Sequence, residues 1–262
     1  MTWQADGHRP GMRIATFNIL SGRSPADGEV DEYRFADAVR RIDADVLALQ
    51  EVDRNQPRSR HADLTAIAAD AMGATEHRFV AALSGTPGAT WEAANGEEQP
   101  DAAAYGIALL SRYPVVGWSV VRLGGLPFAA PYLFHGRRWP QWVRDEPRVA
   151  LVAEVDTPRG RLDVATTHLS FLPGWNRRQL RTLVQALGAR EPLVLLGDLN
   201  MRPAPAARIA HMTSLVAGAT FPAHHPVRQI DHVLARGHVG AAAGGPLWLP
   251  MSDHYALVAD LA

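Results

Sequence analysis

The stretch Leu195-Leu196-Gly197-Asp198-Leu199-Asn200, "LLGDLN", closes an apolar run that begins at Pro192. Pro192-Leu193-Val194-Leu195-Leu196 reads as a buried strand. It then delivers a glycine, a carboxylate at Asp198 and a carboxamide at Asn200. The same construction recurs along the chain. "ATFNI" presents Asn18, "LALQEV" presents Glu51 and "VATTHL" presents His168. "QIDHVL" presents Asp231, and "MSDHYAL" presents Asp253 and His254. Taken singly, an Asp or Asn at a strand end is a turn former or a cap. Taken together and in order, these residues place acid–base and oxygen-ligand groups at the ends of rigid strands, where functional side chains are usually held.

Working outward, "MRIATFNI" alternates as a strand, and "DEYRFADAVRRI" has apolar residues at helical spacing behind a capping Asp31. "ADVLALQEV" reads as a buried strand, and "HADLTAIAADAM" as a helix closing at Gly73. Residues 77–83 and 105–110 are strand-like. The Gly-, Ala-, Pro- and Glu-rich stretch 84–104 between them reads as a mobile loop. "YPVVGWSVVRL" is a strand. "RVALVAEVDTPRGRLDVATTHL" is a pair of strands around a Pro-Arg-Gly-Arg turn. "NRRQLRTLVQALGA" is a helix. A Pro-rich turn with a short helix precedes the strands "QIDHVLA" and "YALVADLA". Residues 122–147 show little periodicity and read as a long functional loop or an irregular cover. Strands alternate with helices early and pair through tight turns later, which favours mixed sheets with helices outside.

Composition narrows the chemistry. The 262 residues are 47% hydrophobic and carry a formal net charge of −1. No repeat or linker divides them, so 1–262 reads as one domain. There is no cysteine, which excludes disulfides, thiolate metal sites and cysteine nucleophiles. "GxSxG" is also absent, so the common covalent hydrolase routes carry no signal. No signal peptide and no membrane-length apolar run are visible, and the expectation is a cytoplasmic monomer. Tight binding of duplex DNA without sequence preference usually brings a basic excess, which this chain lacks. The basic residues are arginine, grouped in "HGRRWPQWVR" and "WNRRQLR".

Asn18, Glu51, Asp198, Asn200 and Asp253 offer oxygen ligands, which suit a hard divalent cation, Mg²⁺ or Mn²⁺. A site with few carboxylates and several amides suits magnesium shared with a substrate phosphate. His168 and His254 titrate near neutrality and supply acid–base groups.

"TFNI", "LQEV", "YGIALLSRYP", "TTHL", "GDLN", "QIDHVL" and "SDH" occur in an order that resembles the endonuclease/exonuclease/phosphatase (DNase I-like) superfamily. The motifs span residues 16 to 254. The resemblance implies an α/β four-layer sandwich, with two mixed sheets packed face to face and helices outside. It also implies metal-dependent cleavage of a phosphoester by in-line attack of water. Glu51 is then the main Mg²⁺ ligand, with Asn18 beside it and Asp253 as a further ligand. Asp198 orients or activates the water, and Asn200 holds a phosphate oxygen or that water. His254 acts as general base or phosphate-polarising imidazole, with Asp231 orienting its far ring nitrogen. His168 stabilises charge on the phosphate. Tyr105 is either a phosphate contact or a core aromatic.

The expected substrate is a phosphoester, with diesters preferred. A nuclease acting on damaged or single-stranded nucleic acid is the alternative, and a non-catalytic binding module on the same fold is the alternative from another class. The resemblance disfavours inositol 5-phosphatases, secreted sphingomyelinases and lysine-rich abasic-site endonucleases. For Arg148, in "DEPRVAL", an ion pair and a substrate contact carry equal weight. Arg178 and Gln179 read as a solvated first helical turn. Trp91, Trp139, Trp142 and Trp175 fall in loops, where packing is the default role and stacking on a base the alternative. Histidines 8, 61, 77, 135, 211, 224, 225, 232 and 238 read as structural or solvent-facing.

Overall fold

A computed structural model describes residues 11–87, 89–133 and 137–262. His8 and His135 lie outside the described residues. In chain order, β1 (Arg13–Asn18) leads through α1 (Glu32–Ile42) to β2 (Val46–Arg54). Then come α2 (Leu64–Met72), β3 (Glu76–Gly85), β4 (Trp91–Ala93), β5 (Ala104–Ser111) and β6 (Val115–Leu123). β7 (Ala130–Tyr132), β8 (Gln141–Val143), β9 (Arg148–Thr157) and β10 (Gly160–His168) precede α3 (Trp175–Leu187). β11 (Leu193–Asp198), α4 (Pro203–Ala210), β12 (Thr213–Ser214), β13 (Asp231–Arg236), β14 (Ala241–Leu247) and β15 (Ala256–Leu261) complete the chain.

Local chemistry explains the helix ends. Asp31 caps α1 by accepting the N–H groups of Tyr33 and Arg34, and Asp63 caps α2 by accepting that of Ala66. Gly73 ends α2 in the left-handed conformation, where glycine carries no Cβ penalty. Pro203 opens α4, where its missing N–H is no loss.

The strands form a seven-stranded mixed sheet, β14-β15-β1-β2-β5-β3-β4, and a six-stranded one, β12-β13-β11-β10-β9-β6. β1–β2 and β10–β11 are parallel pairs. The sheets face each other across a core that includes Ile14, Val46, Leu109, Leu151, Val194, Leu196 and Val233. α1 and α2 cover the outer face of the first sheet through Phe35, Val39 and Leu64, packed on Phe17, Leu47 and Leu49. α3 and α4 cover the second through Leu180, Leu183 and Ala206, packed on Leu193 and Leu195. The result is a four-layer α/β sandwich. "LVLL" is apolar throughout because Leu193 and Leu195 face the helices while Val194 and Leu196 face the other sheet.

Strand parity also positions the site. Counting by twos from Val194 and Leu196 brings Asp198 to the inter-sheet face. The same count brings Asn18 in line with Ile14, His168 with Val164, Asp231 with Val233, and Tyr105 with Ile107 and Leu109. Just below lies a buried polar bridge between the sheets. Thr16 Oγ1 donates to Gln50 Oε1 at 3.0 Å, and Gln50 Nε2 donates to Thr166 Oγ1 at 3.2 Å.

Three features differ from the sequence reading. The 84–104 stretch holds β4, which pairs with β3 and packs Trp91 on Tyr105. The 122–147 stretch holds the β7–β8 ribbon. β14 was not expected, because "AAAGGPL" has no β-branched residue; it is an edge strand, where Pro246 removes no needed donor.

Candidate active site

Glu51 reaches the site through a β-bulge. Gln50 stands opposite Ile107 and Val52 opposite Gly106, so Glu51 is the inserted residue. Its φ is +56°, a left-handed backbone that strains any residue with a Cβ. The bulge shifts the parity of β2: Val52 joins the helix-side core, and Glu51 meets Asn18. Asn18 Nδ2 donates to Glu51 Oε1 at 3.0 Å and to Asp198 Oδ2 at 3.2 Å. Asn18 Oδ1 accepts the N–H of Leu20 at 3.2 Å. The amide nitrogen therefore faces the carboxylates, and Asn18 bridges Glu51 and Asp198.

Asp198 lies in register with Asp231 on β13. Its Oδ1 accepts the Asn200 N–H at 2.9 Å, and Asn200 takes φ +50°, which Asn tolerates better than most residues. Asn200 Nδ2 donates to Leu169 O at 3.0 Å. His254 stands before β15. Its Nδ1 is 2.9 Å from Asp231 Oδ2 and its Nε2 is 3.8 Å from Asp198 Oδ2. Ser252 holds this loop: its hydroxyl donates to Asn18 O at 2.6 Å and accepts the His254 N–H at 3.1 Å. Thr220 donates its hydroxyl to Asp231, and the Phe221 ring packs on the His254 ring at 4.8 Å. Ligand atoms of Asp198, Asp231 and His254 all lie within 4.8 Å of one another.

The electrostatics follow from this packing. Burial by itself lowers the His254 pKa, but the hydrogen-bonded Asp231 carboxylate, with Asp198 and Asp253, overrides it and raises it to about 10. Burial first, then the Asp231 charge, pushes Asp198 up to about 7. Burial raises Glu51, and the nearby Asp253 charge adds to the rise. Burial lowers His168 well below its ordinary value, with the charges of Arg148 and His254 adding. His254 is thus a cation held among carboxylates, and His168 is neutral.

Tyr105 is buried opposite Asp53, stacked 5.8 Å from Trp91 and lying under the Arg58 guanidinium at 5.3 Å. Arg58 binds the fully buried Asp53 in a two-pronged ion pair at 2.7 and 2.8 Å. Asp253 is half-buried, its backbone carbonyl accepting the Ala223 N–H at 2.7 Å. Asn18, Glu51, Asp198, Asn200, His168, Asp231 and His254 are joined by hydrogen bonds or close approach. Asp253 adds its negative charge beside Glu51, and Tyr105 is near enough for the Glu51 charge to add to the rise that burial gives its phenol.

Gln179 is a correction. It is buried, accepting the Ser170 N–H at 2.9 Å and donating to Gly124 O at 3.0 Å, so it ties the loop after His168 to the 122–147 stretch. Arg178 is exposed over the Trp175 ring. Trp91, Trp142 and Trp175 belong to β4, β8 and α3 and not to loops. Thr220, Ser252 and the orientation of Arg148 escaped the sequence reading. None has a motif of its own; only their contacts with Asp231, Asn18 and His168 reveal them.

Two facing mixed sheets covered by helices on both outer faces define a DNase I-like fold, with carboxylates, amides and histidines gathered at one end. The chain matches the Endonuclease/Exonuclease/phosphatase family model over residues 15–254, and it belongs to that family. An endonuclease/exonuclease/phosphatase from Beutenbergia cavernae DSM 12333 is 27% identical with a TM-score of 0.69, covering 97% of this chain and 72% of that one. A mannosyl-6-phosphatase from Bacteroides thetaiotaomicron VPI-5482 is 16% identical with a TM-score of 0.64, covering 96% and 99%. The human Nocturnin catalytic domain with bound sulfate is 19% identical with a TM-score of 0.62, covering 97% and 93%. The last two likenesses concern the fold alone. The comparison with curated proteins gave no match. The family acts on phosphoester bonds. Among the described residues no helix is long and apolar enough to cross a membrane.

Proposed function

We propose that this protein is a metal-dependent phosphoesterase that hydrolyses a phosphodiester by direct attack of water. The observation that carries the reading is the Asp231–His254–Asp198 cluster facing the Glu51–Asn18 pair. Glu51 has one hydrogen-bond partner among the described residues, Asn18, and feels the like charge of Asp253. The charges of His254 and Arg148 offset its burial only in part, and a buried carboxylate with a second one beside it fits a hard divalent cation, Mg²⁺ or Mn²⁺. Glu51 would hold it, with Asp253 direct or through water. When bound, such an ion supplies charge neutralisation to the phosphoryl oxygens.

The side chains divide the remaining work. Asp198, with a pKa of about 7, is suited to accept a proton from the attacking water. His254, held charged by Asp231, donates from Nε2 to a phosphoryl oxygen as negative charge grows there. His168 and Asn200 add neutral N–H donors. Tyr105, buried against Trp91, shapes the wall that the substrate meets.

A nuclease acting on damaged or single-stranded strands is the second reading. Trp139 and Trp142 are 76% and 75% exposed in the arginine-rich 137–144 segment, and such rings can stack on unpaired bases. Hydrolysis of bis-p-nitrophenyl phosphate and p-nitrophenyl phosphate with Mg²⁺, Mn²⁺ or EDTA tests the first reading. Metal-dependent release, faster from the diester, is expected; release that EDTA does not affect would contradict it. Cleavage of single-stranded oligonucleotides, lost on Trp142→Ala, would favour the nuclease.

A further inference from the structure

His168 lies between two donors. Arg148 Nη1 is 3.4 Å from its Nδ1, and Asn200 Nδ2 is 3.3 Å from its Nε2. A neutral imidazole accepts at one ring nitrogen and donates from the other, whereas a guanidinium only donates. The Asn200 amide cannot resolve the conflict by flipping, because its Nδ2 also donates to Leu169 O. Two donors therefore compete for a single lone pair. The charged donor makes the stronger hydrogen bond.

Arg148 is well placed to win. It is buried, its Nη2 lies 3.7 Å from Glu146 Oε2, and Glu146 Oε1 in turn accepts the Trp91 Nε1–H at 3.1 Å. This chain of contacts runs from β4 to the catalytic cluster and fixes which way the guanidinium points.

We propose that Arg148 is a positioning residue that locks His168 as the Nε2–H tautomer. Nδ1 then accepts from Arg148. Nε2–H and the free N–H of Asn200 Nδ2 stand side by side, and neither can accept from the other. Asp198 Oδ2 is 3.6 Å from Nε2, too far for a good hydrogen bond. Two adjacent donors of this kind make a cradle for one phosphoryl oxygen. The opposite tautomer would set Nδ1–H against the guanidinium and turn a lone pair toward the substrate. Arg148 is thus neither of the two alternatives its sequence position left open, a structural ion pair alone or a substrate contact. The catalytic consequence rests on the phosphoesterase reading; the tautomer does not.

The test is a long-range proton–nitrogen correlation spectrum of ¹⁵N-histidine-labelled protein without substrate or metal, with His168 assigned from its loss in His168→Gln. The wild type is expected to show Nε2 protonated and Nδ1 unprotonated. Arg148→Met should show mixed tautomers or Nδ1–H, and a kcat on bis-p-nitrophenyl phosphate lowered about 10²-fold with a smaller change in KM. A wild-type spectrum showing Nδ1–H or a doubly protonated ring would overturn the proposal even if Arg148→Met does not fold. An unchanged tautomer in a folded Arg148→Met would overturn it as well. An Arg148-dependent tautomer in a protein without metal-dependent turnover would support the lock and remove the phosphoesterase reading.

Discussion

Glu51 shows how one residue trades stability for position. A left-handed backbone costs a residue with a Cβ about 1 kcal/mol more than glycine. Glu51→Gly should therefore be about 1 kcal/mol more stable than Glu51→Ala in denaturant titrations, and both should lose metal-dependent turnover. Equal stability of the two variants would mean that the bulge stores no strain. His232 gives a second test. It is buried, with Nε2 2.9 Å from Met201 O, and burial lowers its pKa, as burial does for His168. In the unfolded chain both rings bind protons near the ordinary value of 6.5. Below that pH each ring increasingly favours the unfolded state as the pH drops, against the opposite contribution of Asp198, whose raised value of about 7 has the folded state bind a proton first, so removing His232 should make the loss of stability on acidification smaller. Melting temperatures between neutral and mildly acidic pH would show this, with a shallower slope in His232→Gln. Glu51 and Asp198 stood out in the sequence because each follows an apolar strand, and His254 because it follows Asp253 just before one. The bulge did not, since no residue in "LALQEV" signals an inserted position.

Elements carry the precision. β11 carries Gly197 just before its last residue; the glycine's φ is +141° and its added Cβ would lie 1.9 Å from the Thr167 carbonyl oxygen. The parallel neighbour β10 leaves no room there, so Gly197→Ala should destabilise the fold by at least ~2 kcal/mol and displace Asp198. A wild-type melting curve for that variant would contradict the close approach. The bridge Thr16–Gln50–Thr166 makes a milder test. Thr166→Val leaves the Gln50 amide without its buried acceptor and should cost about 1–3 kcal/mol in chemical denaturation. Helices α1 and α2 were readable from Asp31 and Gly73, because helix ends are written in local sequence; the Asp63 cap of α2 was not picked out. β4, β14 and the β7–β8 ribbon were not readable. β4, β7 and β8 are three residues each, too short to show an alternation, and "AAAGGPL" of β14 has no β-branched or aromatic residue.

Across the whole molecule, the inter-sheet core is apolar up to the Thr16–Gln50–Thr166 bridge and polar from there to the site. Parity on five strands, with one bulge on a sixth, places Asn18, Glu51, Tyr105, His168, Asp198 and Asp231 there, and the loop before β15 adds His254. The alternation was visible in the sequence, but the meeting of the strand ends needed the two sheets to face each other. With a net charge of −1, the chain should bind phosphoesters through this local geometry more than through a general positive field. The central claim is that the Asp231–His254 pair works on a phosphoester beside a divalent ion. Its most direct test is turnover of bis-p-nitrophenyl phosphate with Mg²⁺ or EDTA in the wild type and in Asp231→Asn. The account requires Mg²⁺-dependent turnover, lost in EDTA and lowered about 10²-fold or more in a variant that still folds. Equal turnover in wild type and folded Asp231→Asn would contradict it.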